Sequence, residues 1–197
     1  ERQMNPQAIV AAVGCYPQTA KAEVEELPEV DIVAGTADRM KIPGYVKEFE
    51  AGKGKISAVG NIMKTHRFEN LKIEKYKNRT RAFLKIQEGC SQFCSYCVIP
   101  YARGPIRSRP SGEVLEEVRK LAEAGFKEVV LTGIHIASYG RDLRQMGLLE
   151  LVSHIHEADG IERIRIGSIE PTIVTEEFAA AAARMGKLCP HYHISLQ

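Results

Sequence analysis

RAFLKIQEGCSQFCSYCVIPYARG, residues 81–104, places a strand-like run directly before a loop with three cysteines. Along 81–88, Leu84 and Ile86 fall on one face and Lys85 and Gln87 on the other, the two-residue period of a strand with one apolar side. Cys90, Cys94 and Cys97 then follow with gaps of three and two residues and no near fourth partner.

The pattern downstream alternates. A helix is predicted over 112–124, where Val114, Leu115, Val118, Leu121 and Ala122 share a face, with Ser111 placed to cap it and Gly125 to end it. A strand at 128–133, a helix at 147–158 and a strand at 162–167 come next. Thr175 is set to cap a further helix with Glu176 and Glu177 in its first turn, and 191–196 reads as a last strand. Such a parallel βα series is part of a barrel, and the cysteines sit where barrel enzymes place their chemistry, after the carboxyl end of a strand.

The strand faces qualify this. Arg163 and Arg165 lie opposite Ile164 and Ile166, and His191, His193, Ser195 and Gln197 lie opposite Tyr192, Ile194 and Leu196. A small closed barrel fills its interior with branched apolar groups. Polar inner faces suggest a wider barrel around a polar ligand; the alternative is that these faces look out at solvent.

Residues 1–60 read as a separate α/β piece. Strands are predicted at 8–14 and 31–35, with helices at 18–27, ending before Pro28, and at 37–50, with Pro43 in its first turn. Residues 51–80 are charged and aperiodic, fitting a linker or a short two-stranded excursion, and the linker proper is assigned to 61–80. Residues 81–197 then hold the first part of the barrel. Glu1 at one end and a strand running to Gln197 at the other read as an internal segment of a longer protein.

Composition excludes little. A net charge of +2, from 27 basic and 25 acidic side chains, neither requires nor forbids a nucleic acid partner. No apolar run approaches the roughly 18 residues of a membrane span, and no secretory signal is visible, so five cysteines do not suggest a disulfide framework.

Clustered thiolates select zinc, copper or iron–sulfur clusters. Structural zinc takes four protein ligands, and His135, His191 or Cys189 stand as the distant residues that can complete such a site. Three thiolates on a cubane cluster instead leave one iron open to substrate or cofactor.

The spacing C-x3-C-x-aromatic-C, with Tyr96 as the aromatic, resembles the radical S-adenosylmethionine enzymes. The resemblance implies that Cys90, Cys94 and Cys97 hold a [4Fe–4S] cluster whose fourth iron is chelated by S-adenosylmethionine, and that Tyr96 packs beside it. RAFLKIQEGCSQFCSYCVIPYARGPIRSRP, residues 81–110, is similar to the methylthiotransferases of that superfamily. AAVGCYPQ, residues 11–18, resembles their auxiliary-cluster segment, which implies Cys15 as a ligand of a second [4Fe–4S] cluster; without the resemblance, Cys15 reads as a small buried hydrophobe. VVLTGIHIASYG (129–140), RIRIGSIEPT (163–172) and KLCPHYHISLQ (187–197) look most like the branch acting on threonylcarbamoyladenosine at tRNA position 37. The other branches act on isopentenyladenosine in tRNA or on a ribosomal protein aspartate. A non-radical iron–sulfur or zinc module, and another radical enzyme on the same scaffold, are the competing readings.

The resemblance further implies tRNA, S-adenosylmethionine and an electron donor such as flavodoxin or ferredoxin as partners, a cytoplasmic location and no membrane. Arg103, Arg107 and Arg109 suit a carboxylate, a tRNA phosphate or structural glutamates such as Glu113, against the reading of a solvated basic run; Arg103 is the one assigned to the cofactor. Thr132 and Gly133 are small enough for a ligand to approach the backbone, and the resemblance places the methionine end there. Arg165, Ser168 and Glu170 are assigned to the ribose or methionine end, with Glu170 alternatively capping the next helix. His135 reaches the site or satisfies a loop carbonyl. Cys189, before Pro190, reads as packing, and His191 and His193 as barrel lining.

Overall fold

The computed structural model describes residues 4–37, 39–70 and 80–196. They fall into two units: one takes the described residues of Glu1–Leu71 together with Ser91–Pro105, the other those of Lys72–Cys90 and Ile106–Gln197.

The first unit is a three-stranded parallel sheet in the order β1 (Ala11–Val13), β2 (Ile32–Ala34), β3 (Ile56–Ala58), in register at Ala12, Val33 and Ser57. The middle strand is buried along its whole length, as expected of a parallel strand covered on both faces. Its core gathers Val24, Val30 and Val33, with Val10, Ala12 and Val59 packed against them. The predicted helix at 18–27 is two short helices, α1 (Cys15–Thr19) and α2 (Lys21–Glu25). The one at 37–50 is a 3-10 turn followed by α3 (Ile42–Glu48), with Pro43 in the first turn where a missing N–H costs nothing. Residues 99–103 form α4 (Ile99–Arg103), which packs against α1.

The second unit carries β4 (Arg81–Lys85), β5 (Gln87–Glu88), β6 (Arg107–Ser108), α5 (Ser111–Glu123), β7 (Glu128–Thr132), α6 (Leu148–His156), β8 (Arg163–Ile166) and α7 (Glu176–Arg184). Strands β4, β7 and β8 form a parallel sheet, and β5 and β6 an antiparallel pair. One sheet face, with Ala82, Leu84, Val129, Leu131, Ile164 and Ile166, shares a core with Val114, Val118 and Leu121 of α5 and Leu148, Leu151, Val152 and Ile155 of α6. Those helix positions recur every three or four residues, the period that turns one stripe toward a sheet. The opposite face carries Arg81, Phe83, Lys85, Glu128, Thr132, Arg163 and Arg165, and Phe83 is 44% exposed.

The α/β class with parallel sheets is as expected, and among the described residues β4, β7 and β8 make an open sheet. Four local readings are corrected. Within 51–80, Ile56–Ala58 is a strand of the first sheet, hidden in the sequence by its charged flanks; residues 71–79 lie outside the described residues. The run at 81–88 breaks after Lys85, so Gln87 leaves the polar face and is fully buried in the β5–β6 pair. Ser111 is the first helical residue of α5 and makes no capping bond, since Pro110 takes the cap position. Residues 191–196 form no strand: the chain meets β8 at an isolated parallel bridge, Ile164 to Leu188, and the segment after β8 at another, Ile169 to Ile194. Pro190 between them has no N–H to continue a ladder. Thr175 does cap α7, its hydroxyl accepting from Phe178 N at 3.1 Å, and Gly125 ends α5 with φ 89°.

Candidate functional site

The cysteine loop begins where β5 ends. Gly89 has φ 72°, a left-handed turn that glycine adopts without cost, and it carries the chain into Cys90, which is buried. Phe93 is the loop's non-glycine residue with positive φ, at 50°, and its ring meets Tyr101 edge-on at 5.8 Å. Cys94 and Cys97 are half-buried, and Cys97 N donates to Cys94 O at 2.9 Å, so both thiols leave one tight turn. Tyr96 stands 70% exposed; its hydroxyl is pushed up by desolvation first, then by the charge and hydrogen bond of Cys94 and by Cys97.

All five cysteines carry thiols and none is in a disulfide. Three soft donors within eight residues are the right chemistry for an iron–sulfur cluster. Among the described residues, however, no three His, Cys, Asp or Glu side chains lie close enough to hold a metal ion.

Within the first unit, Cys15 opens α1 after Gly14, and Arg103 at the end of α4 donates from Nε to Cys15 Sγ at 3.1 Å. Beside it, the Thr36 hydroxyl, just past β2, donates to Ala102 O at 2.6 Å. Both contacts lie at the carboxyl ends of parallel strands. Arg107 and Arg109 depart from the solvated reading: each is 4% exposed, and Arg109 pairs with Glu117 and, at 3.7 Å, with Glu113.

In the second unit, the loops after β7 and β8 bring several assigned residues together. His135 Nε2 lies 3.4 Å from Glu170 Oε1, and His135 Nδ1 meets the Ser138 hydroxyl. Among the described residues, Glu170 Oε2 is buried without a hydrogen-bond partner, and Glu170 makes no side-chain cap on the 3-10 turn it precedes. Ser168 Oγ lies 2.6 Å from His193 Nδ1, so His193 meets the β8 loop. Arg165 lies away from this group: its Nε donates to Glu128 Oε1 at 3.2 Å while Arg163 Nε donates to Oε2 at 3.1 Å. Burial pushes the Glu128 carboxyl up, but the bonds and charges of Arg165 and Arg163 outweigh it and hold it below the usual range. Cys189 is buried against the sheet, its N donating to Ile164 O at 2.8 Å, as packing predicts.

The space beside Gly133 is taken by protein. A Cβ there would stand 2.9 Å from Gln87 Oε1 and 3.0 Å from Gln87 Cβ, so what comes close to this backbone is the Gln87 side chain. In the sequence Gln87 reads only as a residue on a strand face. Its signal was a glutamine, with one amide acceptor and two amide donors, three residues before the first cysteine of the loop.

Comparison with known proteins decides the family. The model of the radical SAM superfamily matches residues 84–197, from β4 through the end of the chain. The chain belongs to the radical SAM superfamily. Three curated relatives are similar over nearly all of it. The threonylcarbamoyladenosine tRNA methylthiotransferase MtaB of Bacillus subtilis is 44% identical over 98% of the chain and 43% of its own length. That of Aquifex aeolicus is 38% identical over 100% and 48%. The tRNA-2-methylthio-N(6)-dimethylallyladenosine synthase of Clostridium tetani is 36% identical over 98% and 43%. The chain of this radical SAM protein thus spans about half the length of the curated relatives it matches. Among the described residues, no helix is long and apolar enough to cross a membrane.

Proposed function

We propose that the whole protein is a cytoplasmic methylthiotransferase that modifies threonylcarbamoyladenosine in tRNA. The observation that carries this reading is the cysteine loop after β4 and β5 in a radical SAM chain 44% identical to a methylthiotransferase of that specificity. When bound, a [4Fe–4S] cluster supplies the electron that cleaves S-adenosylmethionine to a 5′-deoxyadenosyl radical.

In this reading Cys90, Cys94 and Cys97 hold that cluster, and a flavodoxin or ferredoxin supplies the electron. Cys15 belongs to a second [4Fe–4S] cluster in an auxiliary domain over 1–60, joined by 61–80 to the barrel part over 81–197. Thr132, Gly133, Ser168 and Glu170 sit in or at the loops that follow β7 and β8, the end of a parallel sheet where such folds bind ligands. The unpartnered Glu170 Oε2 is an acceptor suited to a hydroxyl of S-adenosylmethionine. Tyr96 and Arg165 complete the assigned set, with Arg165 engaged by Glu128, while Arg103, whose Nε donates to Cys15, goes with that cysteine.

The test is anaerobic reconstitution of the whole protein, followed by chromatography of 5′-deoxyadenosine and mass analysis of tRNA nucleosides. The reading expects methylthio addition to threonylcarbamoyladenosine. Addition to isopentenyladenosine instead moves the protein to another branch, and failure to form 5′-deoxyadenosine under dithionite overturns the radical chemistry.

A further inference from the structure

Gln87 is a fully buried polar side chain in the second unit, and every polar atom of its amide is used. Nε2 donates to Glu88 O at 2.8 Å and to Gly89 O at 2.6 Å. Oε1 accepts from His135 N at 2.7 Å. The partners fix the orientation of the amide: two carbonyls need a donor and one N–H needs an acceptor, so a flipped amide would fail at all three.

The geometry is specific to the cysteine loop. Gly89 O belongs to the peptide that joins Gly89 to Cys90, so the bond from Nε2 sets the plane from which the Cys90 backbone starts. Gly89 lies at φ 72°, a conformation open to rotation when nothing holds its carbonyl. The other end of the amide is anchored on the loop after β7, and that loop is itself tied to the loop after β8 through His135 and Glu170. Gly133 leaves no slack, since even a methyl group would press on the Gln87 amide.

We infer that Gln87 is a positioning residue for the cluster ligand Cys90, holding the Gly89–Cys90 peptide against the loop that follows β7. The part of this inference that concerns a cluster rests on the proposed function; the part that concerns the Cys90 backbone does not.

The experiment has two arms, on the wild-type chain and on Gln87→Met, Gln87→Glu and Gly133→Ala. In the first, the metal-free proteins are treated with iodoacetamide under denaturant-free conditions and the alkylation of each cysteine is followed by peptide mass spectrometry. Cys189, buried in the same unit, reports general loosening. Cys90 is expected to react about tenfold faster in Gln87→Met while Cys189 keeps its rate, because the lost amide bonds no longer hold down local opening of the Gly89–Cys90 peptide. Gln87→Glu keeps the bond from His135 but turns a carboxylate on two carbonyls, and is expected to behave like Gln87→Met. Gly133→Ala keeps the amide and shifts it, giving a smaller rise at Cys90. Equal acceleration of Cys90 and Cys189, or unchanged Cys90 in every variant, overturns the inference. In the second arm the reconstituted proteins are challenged with an iron chelator, and Gln87→Met is expected to release iron about tenfold faster than wild type. Unchanged release from Gln87→Met, in a chain whose wild type holds iron, also overturns the inference. A wild-type chain that takes up no cluster defeats the proposed function instead, and the alkylation arm still decides on Gln87.

Discussion

Arg103 Nε donates to the sulfur of Cys15 at 3.1 Å, joining residues 88 positions apart. The resemblance assigns Arg103, which follows the three-cysteine loop, to S-adenosylmethionine. In the folded first unit the Nε of its guanidinium donates to the cysteine at the start of α1.

The two roles separate under substitution. A guanidinium holding the methionine carboxylate contributes about 1.5–3 kcal/mol as a charged hydrogen bond, or roughly tenfold or more in affinity. The bond from Arg103 Nε to Cys15 Sγ predicts that Arg103→Ala in the whole protein changes S-adenosylmethionine binding by less than about threefold, well under that. It is expected to lower the iron held per chain. Equilibrium dialysis with labelled S-adenosylmethionine and an iron assay read both; a large loss of affinity with full iron content returns Arg103 to the cofactor.

Cys15 and Cys97 should fail in different ways. Cys15 opens α1 and Cys97 lies in the cysteine loop, and thiolates of separate centres can be deleted separately. In the whole protein under dithionite, Cys97→Ala is expected to form no 5′-deoxyadenosine. Cys15→Ala is expected to form it still while leaving tRNA without the methylthio group. Normal tRNA modification by Cys15→Ala would make Cys15 a packing residue, and normal 5′-deoxyadenosine from Cys97→Ala would end the radical reading.

The core of the second unit makes a plainer prediction. Leu151 is fully buried in the stripe of α6 that meets the sheet. Leu151→Ala is expected to cost about 2–5 kcal/mol, the transfer and cavity cost of such a truncation. Urea unfolding followed by circular dichroism measures it. Leu149→Ala, at a half-buried position of the same helix, should cost clearly less. Equal costs would mean that α6 does not use this face.

What the sequence disclosed followed from period and punctuation. α5 and α6 announce themselves by apolar positions three and four apart, and Thr175 by its place before two glutamates. What it hid were residues whose neighbours come from elsewhere in the chain. Ile56–Ala58 is too short and too charged at its flanks to show a period, and it is a strand only because β2 is beside it. Glu113 is legible as a partner of Arg109, but the closer pairing with Glu117 and the burial of the guanidinium show only in the fold. Gln87 alternates correctly with Ile86, and nothing local says that the strand breaks at Lys85 and buries the amide. The cysteine spacing was readable because a single loop carries it, whereas the Arg103–Cys15 contact needs the fold.

Tyr139 gives the second unit an alkaline limit. Its ring is 2% exposed and its hydroxyl donates to Arg109 O at 2.8 Å, closing the β6 segment onto the loop after β7. Burial pushes the phenol up to about 12, with Arg109 opposing and Asp142 adding to the rise. The ordinary phenol titrates near 10, so between pH 10 and 12 the unfolded chain gives up a proton that the folded chain keeps. The unfolded state then binds fewer protons, and stability falls as pH rises through that window. Below pH 10 both states are protonated and Tyr139 contributes no slope. The rise from 10.0 to about 12 corresponds to a loss on the order of 1–3 kcal/mol across the window. Tyr139→Phe removes the titration along with one hydrogen bond. It is expected to be less stable than wild type at pH 8, by about 1–3 kcal/mol for the orphaned Arg109 carbonyl, and to close that gap by pH 11–12. Urea midpoints of both proteins at pH 8, 10 and 11 provide the test. A gap that stays constant from pH 8 to 11 would show that the Tyr139 proton is not what limits the fold in alkali.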